Sequence, residues 1–581
     1  MSSIEDIWAS MNEEPLHSKK VASAAVAKKP KKNKDKKSIE QTRTSSGPSS
    51  KEILDYATMT AKIARDVQSC EETEIGVRKK ALSKLHSTLF IDYEMTDDNY
   101  NEVFRDICKK IFKRYADPSE KCRELAQKIT LSFFEKCTDI VPTLGYYVPA
   151  LLQRIPTGYG YDEEMKVFVA DIAEHDAYRR GRAVDRQDRS GTVGTAVHTI
   201  VEPSEEIRLL NCLTLFGLIK RVCAIGACPV LHPYFQEIIM FLQIQLKDPY
   251  PDLKVAACNA LELLAKTEEY EQGMKFFSVA LVRSILPVLR HRLAKVRMAS
   301  VAAIHYCMVV PDRAKRKAAG SEAITDLVGF REDNVLPIAS FYKAEVQINH
   351  LAELVIDKSQ PVREELSKFL YVLLTEIGDR YDHHTRLLPY VLDLLTDESA
   401  SVANVALATL QKCGKEYESE HEDEIRDRLQ YGVDGDDRIN LEKPLPAPFV
   451  ERPRLGMRLY IRGTSKRFLT ALVNELTNWV SSTRIKSAQL LKMLVILCEE
   501  HLTMEAHTLF PAFIKALKFA HDDKDTALKG VLTELFELLG RYILPEVYVY
   551  YILPRLRGDA EVVAFGVDAT TRIVVMEFLA A

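Results

Sequence analysis

TRIKSAQLLKMLVILCEEH, residues 483–501, opens on a base and small residues, runs through a dense apolar stretch and ends in acids. It could be the heart of an enzyme core or one tooth of a repeated rack. The flanking sequence decides. The pair Ile485-Lys486, a β-branched residue and then a base, is followed about one helical turn later by a small or apolar residue. The same arrangement recurs at Val77-Arg78, Cys122-Arg123, Ile207-Arg208, Val296-Arg297 and Val362-Arg363, with looser copies at Val255, Val402, Leu528 and Val562. Neighbouring copies lie 40–45 residues apart (77 to 122, 255 to 296, 362 to 402, 485 to 528). A period of roughly 40–47 residues with two helices per unit is the signature of HEAT and armadillo arrays.

Each unit reads alike. A first helix is apolar at i, i+3, i+4 and i+7, as in VFRDICKKIFKRYA (103–116). A turn with Asp, often with Pro, follows: DPSE (117–120), DPYP (248–251), DKSQP (357–361) and DES (397–399). Asp there can cap the second helix, whose first turn tolerates Pro. The second helix is the more apolar because it has neighbours on both sides. The expected fold is therefore an all-α, HEAT/armadillo-like solenoid of about ten helix pairs over residues 51–581. In it, 483–501 is the second helix of one pair and Trp479 closes its partner. Longer gaps mark insertions at about 156–203, 311–335 and 431–456. The first reads as mostly disordered, and the prolines of 444–456 imply partial order.

At 581 residues, the chain far exceeds the roughly 250–300 at which one core stops growing. The hydrophobic fraction is 46% and the charged fraction 28%, ample for a buried core. No window looks like the ~18 uncharged apolar residues of a membrane span. The N-terminus MSSIEDIWASMNEEP carries acids where a signal peptide needs bases. None of the eleven cysteines forms a CxxC pair, and most lie in apolar helical patterns. That fits a reducing compartment and neither a zinc module nor a disulfide framework. Net charge is −4, and residues 1–50 are basic, so the remaining body is mildly acidic and does not suggest a nucleic-acid groove. Residues 19–37 carry nine lysines against one aspartate. Such a tail cannot bury enough apolar surface to fold. It reads equally as a nuclear-import or anionic-surface patch and as a solvating tail, with Trp8 a candidate docking residue.

No Walker loop, GxGxxG, GxSxG, HExxH or EF-hand pattern occurs, and no catalytic, cofactor or metal residues are expected. His383-His384 reads as turn histidines rather than ligands, and the acidic run 416–427 as a solvated helix face. YRRGRAVDRQDR in the first insertion is the sole support for an enzymatic site, and disorder accounts for it better. The recurring bases Arg78, Arg123, Arg208, Arg297, Arg363, Lys486 and Lys529 invite a binding-stripe reading. An internal ladder is the stronger one: a base early in the second helix reaches a turn acid of its own or the next unit, bringing in Asp117, Asp248 and Asp357.

Residues 450–501 are more specific. They include an opening ERP-x-LG, a run ending in Asn-Trp-Val, and TRIKSAQLL. They resemble the fifth HEAT-repeat dynein axonemal assembly factor family at Glu451, Arg452, Pro453, Leu455, Gly456, Trp479, Val480, Thr483, Arg484, Lys486, Ser487, Ala488, Gln489, Leu490 and Leu491. The resemblance implies a cytoplasmic, non-enzymatic scaffold that preassembles outer and inner axonemal dynein arms for motile cilia. It implies dynein heavy and intermediate chains, other assembly factors and chaperones as partners. The family usually continues for several more repeats, so the end at VVMEFLAA reads as a truncation, an incomplete gene model or a helix capped by a partner. An importin-type transport adaptor is the alternative. It would bind the transport GTPase and enter the nucleus.

Overall fold

The computed structural model describes residues 52–155, 160–162, 166–169, 202–309, 323–328, 349–377, 380–431, 444–557 and 569–581. The lysine-rich tail, Trp8, the YRRGRAVDRQDR stretch and most of the three insertions lie outside them.

Among the described residues, the chain folds into ten successive helix pairs. The first three are α1 (Tyr56–Ser69) with α2 (Ile75–His86), α3 (Asp97–Lys113) with α4 (Glu120–Lys136), and α5 (Val141–Leu152) with α6 (Glu205–Ala224). The fourth is α7 (Phe235–Gln245) with α8 (Pro251–Lys266), and the fifth α9 (Glu271–Ile285) with α10 (Ala294–Met308). After the short α11 (Ile324–Val328), the sixth pair is α12 (His350–Val355) with α13 (Gln360–Thr375), and the seventh α14 (Arg380–Leu395) with α15 (Ala400–Glu420). Helix α16 (Glu422–Tyr431) precedes the eighth pair, α17 (Leu455–Glu475) with α18 (Ser481–Cys498). Then come α19 (Ala506–Asp522) with α20 (Thr526–Tyr542), and α21 (Pro545–Arg557) with α22 (Ala569–Ala580). The solenoid expectation holds.

Helix α3 shows why these segments are helical. The Thr96 hydroxyl caps the amide of Asn99, Asp97 and Asp98 sit in the first turn, and Lys110 and Lys113 in the last. Charges so placed complement the helix dipole. Tyr100, Val103, Phe104, Ile107, Cys108, Ile111 and Phe112 form the buried stripe. The helix starts and ends earlier than the 103–116 apolar run suggests, because Arg114–Ala116 tightens into a 3-10 turn. Second helices stack on second helices: α2 on α4, α4 on α6, α6 on α8, α8 on α10, α10 on α13 and α13 on α15. All eleven cysteines are free, and all are buried except the half-buried Cys223.

The first insertion contributes a short described hairpin. After a two-residue parallel pairing of β1 (Glu52–Ile53) with β2 (Tyr93–Glu94), a hairpin of β3 (Gly160–Asp162) and β4 (Val167–Val169) forms with Tyr161 opposite Phe168. Strand β4 packs on α7 and α9. Two sequence expectations need correction. The stretch Glu268–Arg290 does reach the length and apolarity of a membrane span, but 61% of its apolar window is buried in the array, where it is the first helix of the fifth pair with 3-10 turns at both ends. Trp479 does not close a partner helix. It stands in the turn between α17 and α18, 83% exposed.

The layers also change at the eighth pair. Helix α17, a first helix, packs on the second helix α15, and α18 packs on the first helix α14. Glycine permits this crossing. A Cβ on Gly456 would lie 2.2 Å from the Gly414 carbonyl oxygen and 2.4 Å from Glu418 Cγ, and one on Gly414 would lie 2.6 Å from the Met457 amide nitrogen.

Candidate functional site

The recurring arginines form a ladder, with a register that repeats strictly. Arg78 donates to both Asp117 carboxylate oxygens (2.8 and 3.0 Å), and Arg208 to both of Asp248 (2.7 and 3.1 Å). Arg123 holds Glu202 at 2.6 and 2.7 Å. Arg297 pairs with Asp357, Nη2 to Oδ1 at 2.7 Å, and Arg363 with Asp397 at 2.6 and 2.9 Å. Arg484 reaches Asp523 at 2.7 Å. In each case a base in one pair reaches the turn acid of the next pair. The same guanidinium also donates to carbonyls five or six residues back in its own turn: Arg208 to Glu202 and Pro203, Arg123 to Asp117 and Pro118, Arg484 to Asn478 and Trp479.

The acid has a second duty. Asp117, Asp248, Asp357 and Asp397 each accept the backbone amide two residues on, at 2.8–2.9 Å, an Asx turn that leads the chain into the second helix of their own pair. Turn residue and base are therefore six positions apart within a pair. That offset, rather than the Val-Arg doublet, is the sequence signal. It moves the rung of the eighth pair from Lys486 to Arg484. Lys486 instead sits at the layer change, 2.8 Å from both Asp393 Oδ1 and the Thr396 hydroxyl. Burial pushes the Asp393 carboxyl up, and Lys486 opposes that. Lys529 leaves the ladder too and pairs with Glu577 at 2.8 Å.

Besides that of Lys529, two junctions whose ends are both described lack a rung, the fourth to fifth and the seventh to eighth, and at each both ends have changed. His291 stands at the turn position of the fifth pair and makes a similar turn, its Nδ1 accepting the Leu293 amide at 3.2 Å. The facing base position of the fourth pair is Lys254, which turns back to the Leu246 carbonyl of its own pair. Burial holds the Lys254 ammonium down to about 8. In the eighth pair the turn residue is Asn478, accepting the Val480 amide at 2.9 Å, and the preceding base position is Ala403. A neutral turn residue thus accompanies the loss of arginine.

The family-like residues 452–489 cluster at the layer change, and most are internal. Arg452, Arg458 and Arg462 converge on the buried carboxylate of Glu499 at 2.7–3.1 Å. The Pro453 carbonyl accepts from Arg458, and Gly456 allows the close crossing. The Ser487 hydroxyl donates to the Leu472 carbonyl at 2.6 Å, and Gln489 is half-buried. Trp479 alone of the family-like residues predicted as a site is largely exposed.

The acidic run is largely solvated, with Glu420, Glu422, Asp423 and Asp427 exposed, and three of its acids also make contacts. Glu416 accepts from the Tyr371 hydroxyl, Glu418 binds Arg454 and the Gly456 amide, and Glu420 accepts from Tyr381 and Arg380. His384 is a buried ring whose Nε2 lies 3.2 Å from the Leu374 carbonyl, and burial lowers it to about 4. No group of three or more His, Cys, Asp or Glu able to hold a metal occurs among the described residues. Burial raises the thiols, Cys498 to about 11 and Cys70 to about 12, far from reactive thiolates.

Stacked helix pairs locked by charged rungs, with an exposed aromatic on a turn, define an α-solenoid of the kind that presents surfaces for binding. A family model described as "Dynein axonemal assembly factor 5-like, TPR repeats" matches residues 70–172, 194–319 and 333–428, and "Dynein axonemal assembly factor 5, HEAT-repeat domain" matches 444–574. The chain belongs to the dynein axonemal assembly factor 5 family. Its rungs recur at HEAT-like spacing (bases 78 to 123, turn acids 357 to 397) rather than the ~34 residues of a TPR. It is 25% identical over 506 residues to dynein axonemal assembly factor 5 of Xenopus laevis, covering 86% of this chain and 49% of that protein. It is 26% identical over 360 residues to the Homo sapiens protein, covering 61% and 36%. The chain thus spans about half the length of these relatives or less. A solved structure of the karyopherin Kap121p covers 89% of the chain and 45% of its own at 12% identity, but a TM-score of 0.34 carries no argument.

Proposed function

We propose that the chain is a non-enzymatic scaffold for assembly of axonemal dynein arms, outer and inner, acting in the cytoplasm before the arms reach motile cilia. Membership of the dynein axonemal assembly factor 5 family carries this reading. The array supports it physically: the recurring arginines and turn acids are spent on internal rungs, so contacts fall to other surface residues, Trp479 among them. Dynein heavy and intermediate chains, with chaperones and other assembly factors, are the partners. Trp479 is the contact residue we assign. An exposed tryptophan offers a large apolar area and an N–H donor, the combination enriched at binding hot spots.

Disrupting the gene in ciliating cells tests the function. Axonemes should lack both outer and inner arms in cross-section, and normal arms refute it. Affinity purification of the full chain tests the contact. Trp479→Ala should cut recovery of dynein chains while leaving the fold intact, and undiminished recovery removes Trp479 from the interface.

A further inference from the structure

The junction between the fourth and fifth pairs has no rung, and the hairpin of the first insertion lies across it. Lys254 cannot bridge to His291, since both are bases and Lys254 is bonded within its own pair. On the layer of first helices, one hairpin residue touches both pairs. Lys166, at φ 54° in the hairpin turn, accepts a hydrogen bond on its carbonyl from Gln243 Nε2 of α7 at 2.9 Å. Its ammonium sits 3.3 Å from the ring centroid of Phe276 in α9. Gln243 belongs to the fourth pair and Phe276 to the fifth, and β4 packs on both helices. Gln243 is fully buried.

We infer that the hairpin 160–169 is a clamp that takes the place of the missing rung at this junction. In sequence the hairpin falls between α5 and α6 of the third pair, and it packs on the next two pairs. A charged rung acts on the turn edge, and the clamp acts on the first-helix layer. Both oppose the same motion, separation of adjacent pairs.

Hydrogen exchange on the full-length chain tests this. Replacing 160–169 by a Gly/Ser segment of equal length should speed exchange in α7 and α9 by about tenfold or more, from the loss of one hydrogen bond and one cation–π contact. Exchange in α3, α4, α19 and α20 should stay unchanged. The point variant Phe276→Ala, at a surface position, should give a smaller change in the same helices. Installing the rung found at other junctions, Lys254→Arg with His291→Asp, should restore protection in the hairpin-less chain. Unaltered exchange in α7 and α9 overturns the clamp, as does failure of the installed rung to restore it in a chain whose helix content is native.

Discussion

Removing one arginine from a rung should cost far more than an exposed ion pair is worth, and Arg208 is the cleanest place to measure it. Its side chain is 8% exposed and that of Asp248 is 2% exposed. The guanidinium makes two bonds to the carboxylate and two to the carbonyls of Glu202 and Pro203. Arg208→Met keeps the aliphatic stem and removes all four. Asp248 then keeps its bond from the Tyr250 amide at 2.8 Å, with its charge buried and its principal counter-ion gone. Breaking a buried pair from one side costs roughly 3–5 kcal/mol, against about 0–1 for a surface pair. Only part of that is attraction, and the rest is the stranded charge. Asp248→Asn in the Arg208→Met background, which retains an acceptor for Tyr250, should therefore recover about 1–3 kcal/mol. Native-state hydrogen exchange is the appropriate assay, because a repeat array need not unfold in one step. At about 1.4 kcal/mol per tenfold, amides of α6 and α8 whose opening separates the third and fourth pairs should exchange about a hundredfold faster or more in Arg208→Met. A loss below about 1 kcal/mol, or an Asp248→Asn effect identical in both backgrounds, would refute the claim that the rung is an energetically coupled pair.

Three further outcomes follow from named contacts. Gly456→Ala places a Cβ 2.2 Å from a backbone oxygen of α15 and should lower stability by about 3 kcal/mol or more, read as a fall in the thermal midpoint; Gly463→Ala, with nothing within 4 Å of its would-be Cβ and an exposed helical position, should instead gain about 0.5–1 kcal/mol. Burial holds His305 and His384 to about 4 and His350 to about 3. Their folded values lie below the unfolded ~6.5, so the unfolded chain binds protons first as pH falls. Stability is therefore complete above about pH 6.5 and declines toward pH 4, and His350→Gln should flatten the pH dependence of the urea midpoint between pH 7 and 5. Asp117 titrates with the opposite sense. Burial raises its carboxyl, but the bonds from Arg78 and the Ser119 amide outweigh that and hold it low. Its contribution is present above the unfolded value near ~3.9 and is lost as pH falls through the folded one, so Asp117→Asn should change the slope of the urea midpoint only below about pH 4.

The solenoid was legible because it rests on local signals repeated many times. Apolar stripes at helical spacing, Asp and Pro at the turns and a 40–45 residue period each survive a miscounted residue. The rungs required finer register. Aligning on the β-branched residue before the base groups Ile485-Lys486 with Val296-Arg297, yet the eighth pair has Thr483-Arg484 at that point. Counting six residues back from the base to a residue that must close the turn settles the assignment, because that turn fixes the phase of the helix that follows it. The layer change was partly written in ERP-x-LG, whose arginine, proline and glycine each have a geometric duty there. Nothing local says that Gly456 faces Gly414, since that depends on a contact across an insertion.

The missing rungs at the fourth-to-fifth and seventh-to-eighth junctions show why the ladder is better understood as a set of pairs than as a row of arginines. An acid would close its turn whether or not an arginine approached it, so the turn alone does not explain why His291 and Asn478 coincide with the loss of arginine at 254 and 403. Charge balance does. An arginine facing His291 would be a buried cation without a counter-ion, and an acid facing Ala403 would be a buried anion without one, and each costs several kcal/mol. A neutral turn residue with no arginine avoids both. The array then needs other means of holding those two junctions. At the seventh and eighth pairs it has the Gly414–Gly456 crossing, Lys486 with Asp393, and Glu418 holding Arg454 and the Gly456 amide. At the fourth and fifth, it has the Lys295–Asp252 ion pair, the Tyr270 hydroxyl donating to the Cys228 carbonyl, and Lys166 between Gln243 and Phe276.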